Sequence, residues 1–589
     1  MISYANNEIL IEQGLCEKNI YFFQLWKEQL HKKTIDIYRY KVLGSCSACA
    51  ELIDIIEKYV NGTNRNATNI IDCKNETLSI LKSDIIIENN ANNLWKQIIS
   101  VIDSIPKEKK NSNYSDKSLN RILNILNPLH SILKEKYLHF ATSTLKESLD
   151  NNNYKNVKVC TKLIISHCIY IGWSDEGLYK AIDVLKTKQE SAQQWKKFVE
   201  VILSEKKEFD IYINNRYKKT EPSILNKVSQ SAIKGDKINV NNAQISNESI
   251  YFKYTISAYD SYSASRKAYL EHNRYVSTCS YFNMINPQLS ERLKGFFIAV
   301  DLKNDIVEEI EASKLFKPYA LVDLDAKNSI FDDTLAIINE QSKQNILEEI
   351  MASFSYINLS KISFYQETKF IMLWIALESI MYTRTRSNII DHIKYVLPEI
   401  LCTRYIYRIM RNFSEDCIRC GFNPDYSRIK IDFKEKDKRK LSKRIISCFL
   451  DEKEYKSIHN FCKQNNLLLE RCEEIKEILD NGETLQNKLN DYTKKIRWHI
   501  QRLYRIRNEI THSAFIEKQS LTIYIEHLNT YLLQVINEII YFAANKKANT
   551  VGEALEMITE NYKLFVDILK KDNTKSILDL INDGVIELY

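Results

Sequence analysis

Apolar residues recur every three or four positions through most of the first 200 residues. Cys49, Leu52, Ile55, Ile56 and Val60 fall on one stripe, and the segments from Asn93 to Ile105 and from Ser131 to Leu149 repeat that character. Residues 1–204 therefore read as an N-terminal domain of amphipathic helices, without a fixed repeat period. The texture changes over 205–339. Phe209-Asp210-Ile211-Tyr212-Ile213 alternates apolar and polar positions as a half-buried strand does. Phe296 to Val300 and Ala320 to Leu324 are short apolar runs expected as further strands, and the polar stretch 219–248 is expected as a loop or exposed hairpin. This region reads as a small α+β module.

Helical periodicity returns after 340. Ser363 and Gln366 have capping-box spacing ahead of FIMLWIALESIMY, which is apolar almost all round and so marks a central buried helix. A charged region over about 411–490, including KEKDKRKLSKR at 434–444, looks like an insertion between core helices. Two further helices are expected, Asp491 to about Ile510 and Leu521 to about Asn545. Thr550 with Glu553 opens a helical tail over 546–589.

Composition agrees with the periodicity. The 589 residues include only 11 Gly and 7 Pro, ~3% of the chain against roughly 12% in average usage. Tight turns between strands consume both residues, and helices avoid them. The expected fold is mainly α. The net charge of +7 permits an anionic partner without requiring one. Thirteen scattered cysteines suggest reduced thiols rather than a disulfide framework. With no signal-peptide pattern and no apolar run near the ~20 residues that a bilayer requires, a soluble, cytoplasmic protein without membrane contact is expected.

The densest chemistry lies in KKIRWHIQRLYRIRNEITH, residues 494–512. Ile496, Ile500, Leu503, Ile506 and Ile510 form a buried stripe, while Lys494, Lys495, Arg497, Arg502, Arg505 and Arg507 make the same segment basic. Such a patch suits phosphates, although charge runs are more often solvated helix faces. The residue types add to it. Metal-free RNA cleavage needs a group titrating near neutrality to move a proton and a fixed cation to meet charge on the phosphoryl oxygens. His512 and Arg507 supply these, with Asn508 to orient either.

The run RLYRIRNEITHS resembles the R-polar-x-x-x-H signature of HEPN domains through Arg507, Asn508 and His512. With FIMLWIALES, it resembles the Apea-like branch of that superfamily over about 340–545. The resemblance implies a C-terminal helical bundle that pairs two motifs in a homodimer. It also implies a metal-independent ribonuclease of phage-defence or toxin type, with Arg507 and His512 catalytic and Asn508 supporting.

Glu378 is the single charge between Phe370 and Met381, so a partner is expected, with Arg502 and Arg507 preferred. Tyr504, Arg505 and Arg497 are the expected RNA contacts, although a core role is the commoner fate of a tyrosine in a chain with 35 of them. No cofactor or metal is expected. The pairs Cys46-x-x-Cys49 and Cys417-x-x-Cys420 have zinc-like spacing but would have to meet in space. His130, His167 and His392 sit in apolar helical contexts that favour structural roles. The expected partners are RNA, a second copy of the chain and a phage-derived trigger, with the N-terminal half restraining the nuclease. The alternatives are a non-catalytic RNA-binding or dimerisation scaffold, or the HEPN half of a toxin–antitoxin pair.

Overall fold

The computed structural model describes residues 6–30, 43–106, 114–214, 232–238, 240, 245–282, 296–315, 324–363, 365–382, 389–420, 448–449, 451–513, 521–546 and 548–571. The protein is mainly helical, with one small antiparallel sheet in the middle of the chain.

The N-terminal helices include α1 (Glu17–Gln29), α2 (Ser45–Val60), α3 (Ala67–Lys82), α4 (Asp116–Asp150) and α5 (Tyr154–Ile171). Cys49, Leu52, Ile55 and Ile56 of the stripe on α2 are buried, as its spacing requires. They join a core that runs to Ile202 and centres on Phe22, Trp26 and Phe198, whose rings meet edge to face at 5.2–5.7 Å.

The five strands are β1 (Lys207–Asn214), β2 (Ala232–Lys234), β3 (Ile250–Ala258), β4 (Phe296–Asp301) and β5 (Ile306–Glu311), in the order β2-β3-β1-β4-β5. In the central strand Ile211 lies opposite Tyr254 of β3 and Ala299 of β4. Phe209, Ile211 and Ile213 face α6 (Ser261–Tyr281), packing with Ala264, Ala268 and Tyr269. The second face is covered too, contrary to the half-buried expectation. Tyr212 packs with Tyr251, Ile298 and Val300 beneath Ile238, Val240 and Ile245. Asp210 is tolerated there because it accepts from the Thr255 hydroxyl at 2.7 Å and pairs with Lys253 at 2.6 Å. The run from Ala320 to Leu324 falls outside the described residues except Leu324, which opens the helix Leu324–Asn339.

The C-terminal core contains α7 (Gln344–Ile362), α8 (Gln366–Met381), α9 (Ile389–Thr403), α10 (Tyr405–Arg419), α11 (Asn466–Asp480), α12 (Gly482–Ser513), α13 (Leu521–Asn545) and α14 (Val551–Lys571). Ile337 also joins it, so the helix read with the middle module contributes here. Three expectations change. Phe413, Cys417, Ile458, Cys472 and Ile475 lie in this same core, so the charged stretch supplies core helices; its segment 434–444 lies outside the described residues. Ala554, Leu555 and Ile558 are buried as well, making the described part of the expected tail, to Lys571, part of the bundle. Ser363 ends α7, and α8 begins after Tyr365 with no side-chain cap. Thr550 does cap: its hydroxyl accepts the Glu553 N–H at 3.1 Å, while the Glu553 carboxylate accepts the Asn549 N–H at 2.8 Å.

The described cysteines are free thiols, and the two C-x-x-C pairs lie in separate cores. Burial pushes the Cys49 thiol up to about 12 and raises Cys417 as well, which suits small buried hydrophobes. Among the described residues no helix is long and apolar enough to cross a membrane, and no group of three His, Cys, Asp or Glu side chains is placed to hold a metal.

His167 of α5 stacks on Tyr137, with centroids 4.7 Å apart. Burial, helped by Lys134 and His130, pushes its imidazole down to about 3. Unfolded histidine titrates near 6.5, so between these values the unfolded chain binds a proton that the folded chain refuses. Its contribution is complete above about pH 6.5 and falls by ~1.4 kcal/mol per unit as pH drops. His167→Phe should therefore gain about 2 kcal/mol relative to wild type between pH 7 and pH 5, read from urea midpoints. An unchanged difference between the two proteins across that range would contradict this assignment.

Candidate functional site

The helix α12 carries the motif, and its surroundings differ along its length. Ile496, Ile500, Leu503, Ile506 and Ile510 are buried, as their spacing predicts. They face the C-terminal core, where α12 packs against α8, α9 and α14. Behind them His499 bonds the Tyr531 hydroxyl at 2.8 Å and His527 at 3.2 Å, tying α12 to α13.

The opposite face is buried too, against the N-terminal helices. Gln501, Arg502 and Arg505 are all nearly inaccessible. Arg502 donates through Nε to Glu51 at 2.8 Å and through Nη2 to Glu76 at 2.5 Å. Arg505 also pairs with Glu51. Next to this cluster Gln501 donates to Asn69 at 2.8 Å, Glu509 pairs with Lys58, and Lys394 of α9 reaches Asp72 at 2.7 Å. Burial alone would disfavour charge on Arg502, yet Glu51 and Glu76 raise its pKa well above the ordinary arginine value. Two N-terminal helices thus grip the motif helix through a desolvated cluster of two arginines and two carboxylates.

The expected site residues therefore separate. Arg502 is not a partner of Glu378; it belongs to the clamp. Arg505 is likewise withdrawn from any RNA contact, because Glu51 occupies it in a buried setting. Tyr504 is half-buried with its ring 5.9 Å from that of Trp374, a packing role rather than an open stacking platform. Arg497 is half-buried and lies over the exposed Tyr395 ring at 5.0 Å. The basic segment is thus much less of a phosphate-facing patch than its charge count implied.

Arg507 and Asn508 stand together: Arg507 Nη1 donates to Asn508 Oδ1 at 3.1 Å. Glu378 on α8 lies 4.0 Å from Arg507 Nη2, a loose pair in which the arginine side chain is 32% and the glutamate 24% exposed. Arg507 keeps enough accessible surface to meet an anion, and Glu378 biases its direction. His512 is exposed in the last turn of the helix. Five residues separate it from Arg507, about 7.5 Å along the axis and roughly 140° around it. Asn508 and His512, four apart, share a face. The structure brings together Arg507, Asn508 and Glu378, and sets His512 one turn beyond them.

The clamp residues Glu51, Glu76 and Lys58 were missed from sequence. Glu76 carried the stronger signal, since it borders Cys73 and Thr77 on the buried face of α3. No protein-family model, curated protein or solved structure matches the chain.

Removing one partner of a buried pair strands a desolvated charge. Glu76→Ala should therefore cost about 3–5 kcal/mol in chemical denaturation. Asp491→Ala, which breaks the exposed i,i+4 pair with Lys495 on the same helix, should cost under ~0.5 kcal/mol. Similar small losses for both would contradict the burial of the clamp.

Proposed function

We propose that the chain is a metal-independent endoribonuclease of HEPN type, with Arg507 and His512 as its catalytic residues and Asn508 and Glu378 as supports. One observation carries this reading. An accessible arginine, oriented by Asn508 and Glu378, and an exposed histidine lie near the described end of a helix whose preceding turns are fixed on both sides. The substrate is single-stranded or loop RNA, whose 2′-hydroxyl can line up behind the scissile phosphate.

In this reaction the 2′-oxygen forms a bond to phosphorus and the bond from phosphorus to the 5′-oxygen breaks. His512 takes the 2′-hydroxyl proton or returns one to the leaving 5′-oxygen. Arg507 meets the charge on the non-bridging oxygens. The products are a 2′,3′-cyclic phosphate and a 5′-hydroxyl. The wide angular spacing of Arg507 and His512 on one helix favours two motifs meeting across a homodimer, each histidine complementing the partner's arginine. Cytoplasmic action in phage defence or as a toxin, with a phage-derived trigger, follows from the HEPN reading.

The N-terminal half restrains the nuclease in this account. The clamp supports that role, because Glu51, Glu76 and Lys58 hold the very helix that carries the motif.

The internal engagement of Arg502 and Arg505 favours a second reading, a non-catalytic scaffold or a toxin–antitoxin component, since it leaves fewer cations for RNA. Cleavage assays separate the two.

His512→Ala should lower cleavage of single-stranded RNA in excess EDTA by at least ~10²-fold with an unchanged melting profile, because the side chain is exposed. Deleting the 2′-hydroxyl at the cut site should abolish cleavage. Persistence of cutting in either case would overturn the mechanism.

Lys58→Glu sets a carboxylate against Glu509 in place of a cation. It should weaken the grip and raise RNA cleavage or toxicity above wild type. Activity equal to or below wild type, in a folded protein, would remove the restraint role.

A further inference from the structure

We propose that a cavity where the N-terminal helices meet the sheet binds a zwitterionic α-amino acid with a side-chain amide. The cavity has a volume of about 590 Å³, well inside the range of small-molecule sites. One wall comes from α4 and α5. The other is the segment that leaves the helix Ser191–Ile202 and enters β1, together with Tyr259 just beyond β3.

Three features of the lining define the ligand. Lys134 and Glu135 stand on the first wall, Glu205 and Lys206 on the second, and these are its lysines and glutamates. None of the four side chains makes an ion pair or a hydrogen bond among the described residues. Each lysine lies instead over a tyrosine ring, Lys134 at 5.5 Å from the centre of Tyr170 and Lys206 at 5.6 Å from that of Tyr259. Tyr259 is itself stacked on Trp173, with ring centres 5.4 Å apart, so its face is fixed. The rings place the two cations without neutralising them, which leaves both able to meet a carboxylate. Glu135 and Glu205 are equally able to meet an ammonium. Finally, His167 lines the cavity at only 3% exposure, and its ring nitrogens make no hydrogen bond among the described residues. Burial keeps this imidazole neutral near pH 7, so it offers one N–H and one lone pair. An amide, with an oxygen and an N–H of its own, complements both.

The balance of charges selects against simpler ligands. A dicarboxylate would meet the lysines and be repelled by the glutamates, and a polyamine would meet the reverse. A zwitterion answers both, its carboxylate to Lys134 and Lys206 and its ammonium to Glu135 and Glu205. Its side-chain amide then reaches His167, with the methylenes against Leu138, Ile171 and Ile202. None of these residues belongs to the proposed nuclease site, so the inference does not rest on that reading. A ligand here would join α4 and α5 to the strands that follow them.

The test is calorimetric titration of the full chain with L-glutamine, with succinate as a purely anionic probe and putrescine as a purely cationic one. Glutamine should bind more tightly than either. Lys134→Gln with Lys206→Gln should weaken glutamine at least tenfold, and so should Glu135→Gln with Glu205→Gln. The four side chains are exposed, so both double variants should fold, which circular dichroism checks. His167→Phe keeps an aromatic ring beside Tyr137 but removes the two nitrogens, and it should also weaken glutamine. Absence of saturable glutamine binding at millimolar concentration would overturn the proposal. So would succinate or putrescine binding as tightly as glutamine, or an affinity for glutamine unchanged in any of the three folded variants.

Discussion

The buried ion cluster of Arg502 and Arg505 with Glu51 and Glu76 fixes the relation between the two ends of this chain. Charges so poorly solvated cannot separate cheaply, since parting them strands each one in an apolar setting. Their geometry is also specific. Arg502 uses Nε and Nη2 on two different carboxylates, a directed arrangement that a lysine's point charge does not reproduce. The N-terminal helices are therefore registered against α12 by direction as well as by area.

This registration divides α12 into functional stretches. Its middle is enclosed by protein on both faces, and near its described end Arg507, Asn508 and His512 keep accessible surface while Ile510 stays buried. The same hold gives the N-terminal half leverage on the motif. Glu51 and Lys58 hold the helix at Arg505 and Glu509, each two positions from Arg507.

Periodicity made much of the fold legible. The stripe on α2, the strand at Phe209 and the boundaries of α13 all follow from local spacing, because burial on one face imposes one period. What local spacing could not carry was pairing at long range. Arg502 read as a partner of Glu378 and Arg505 as an RNA contact because their true partners lie more than 420 positions away, on helices whose glutamates look unremarkable in isolation. The charged stretch before α12 failed for a related reason. Its helices α10 and α11 bury narrow apolar faces, so composition averaged over the whole segment hid them. At the site, Arg507 with Asn508 was legible because the two are adjacent. The preference of Glu378 for Arg507 over Arg502 needed the rotation of α12, which the clamp sets.

Whether the exposed end of this helix cuts RNA through the ribose of its own substrate is read most directly from the fragment ends. Phosphorus NMR of RNA treated with the wild-type protein in a chelating buffer should show a 2′,3′-cyclic phosphate as the first product. Fragments bearing a 5′-phosphate and a free 3′-hydroxyl would mean that water, and not the neighbouring hydroxyl, attacks phosphorus, and would contradict the roles given to Arg507 and His512.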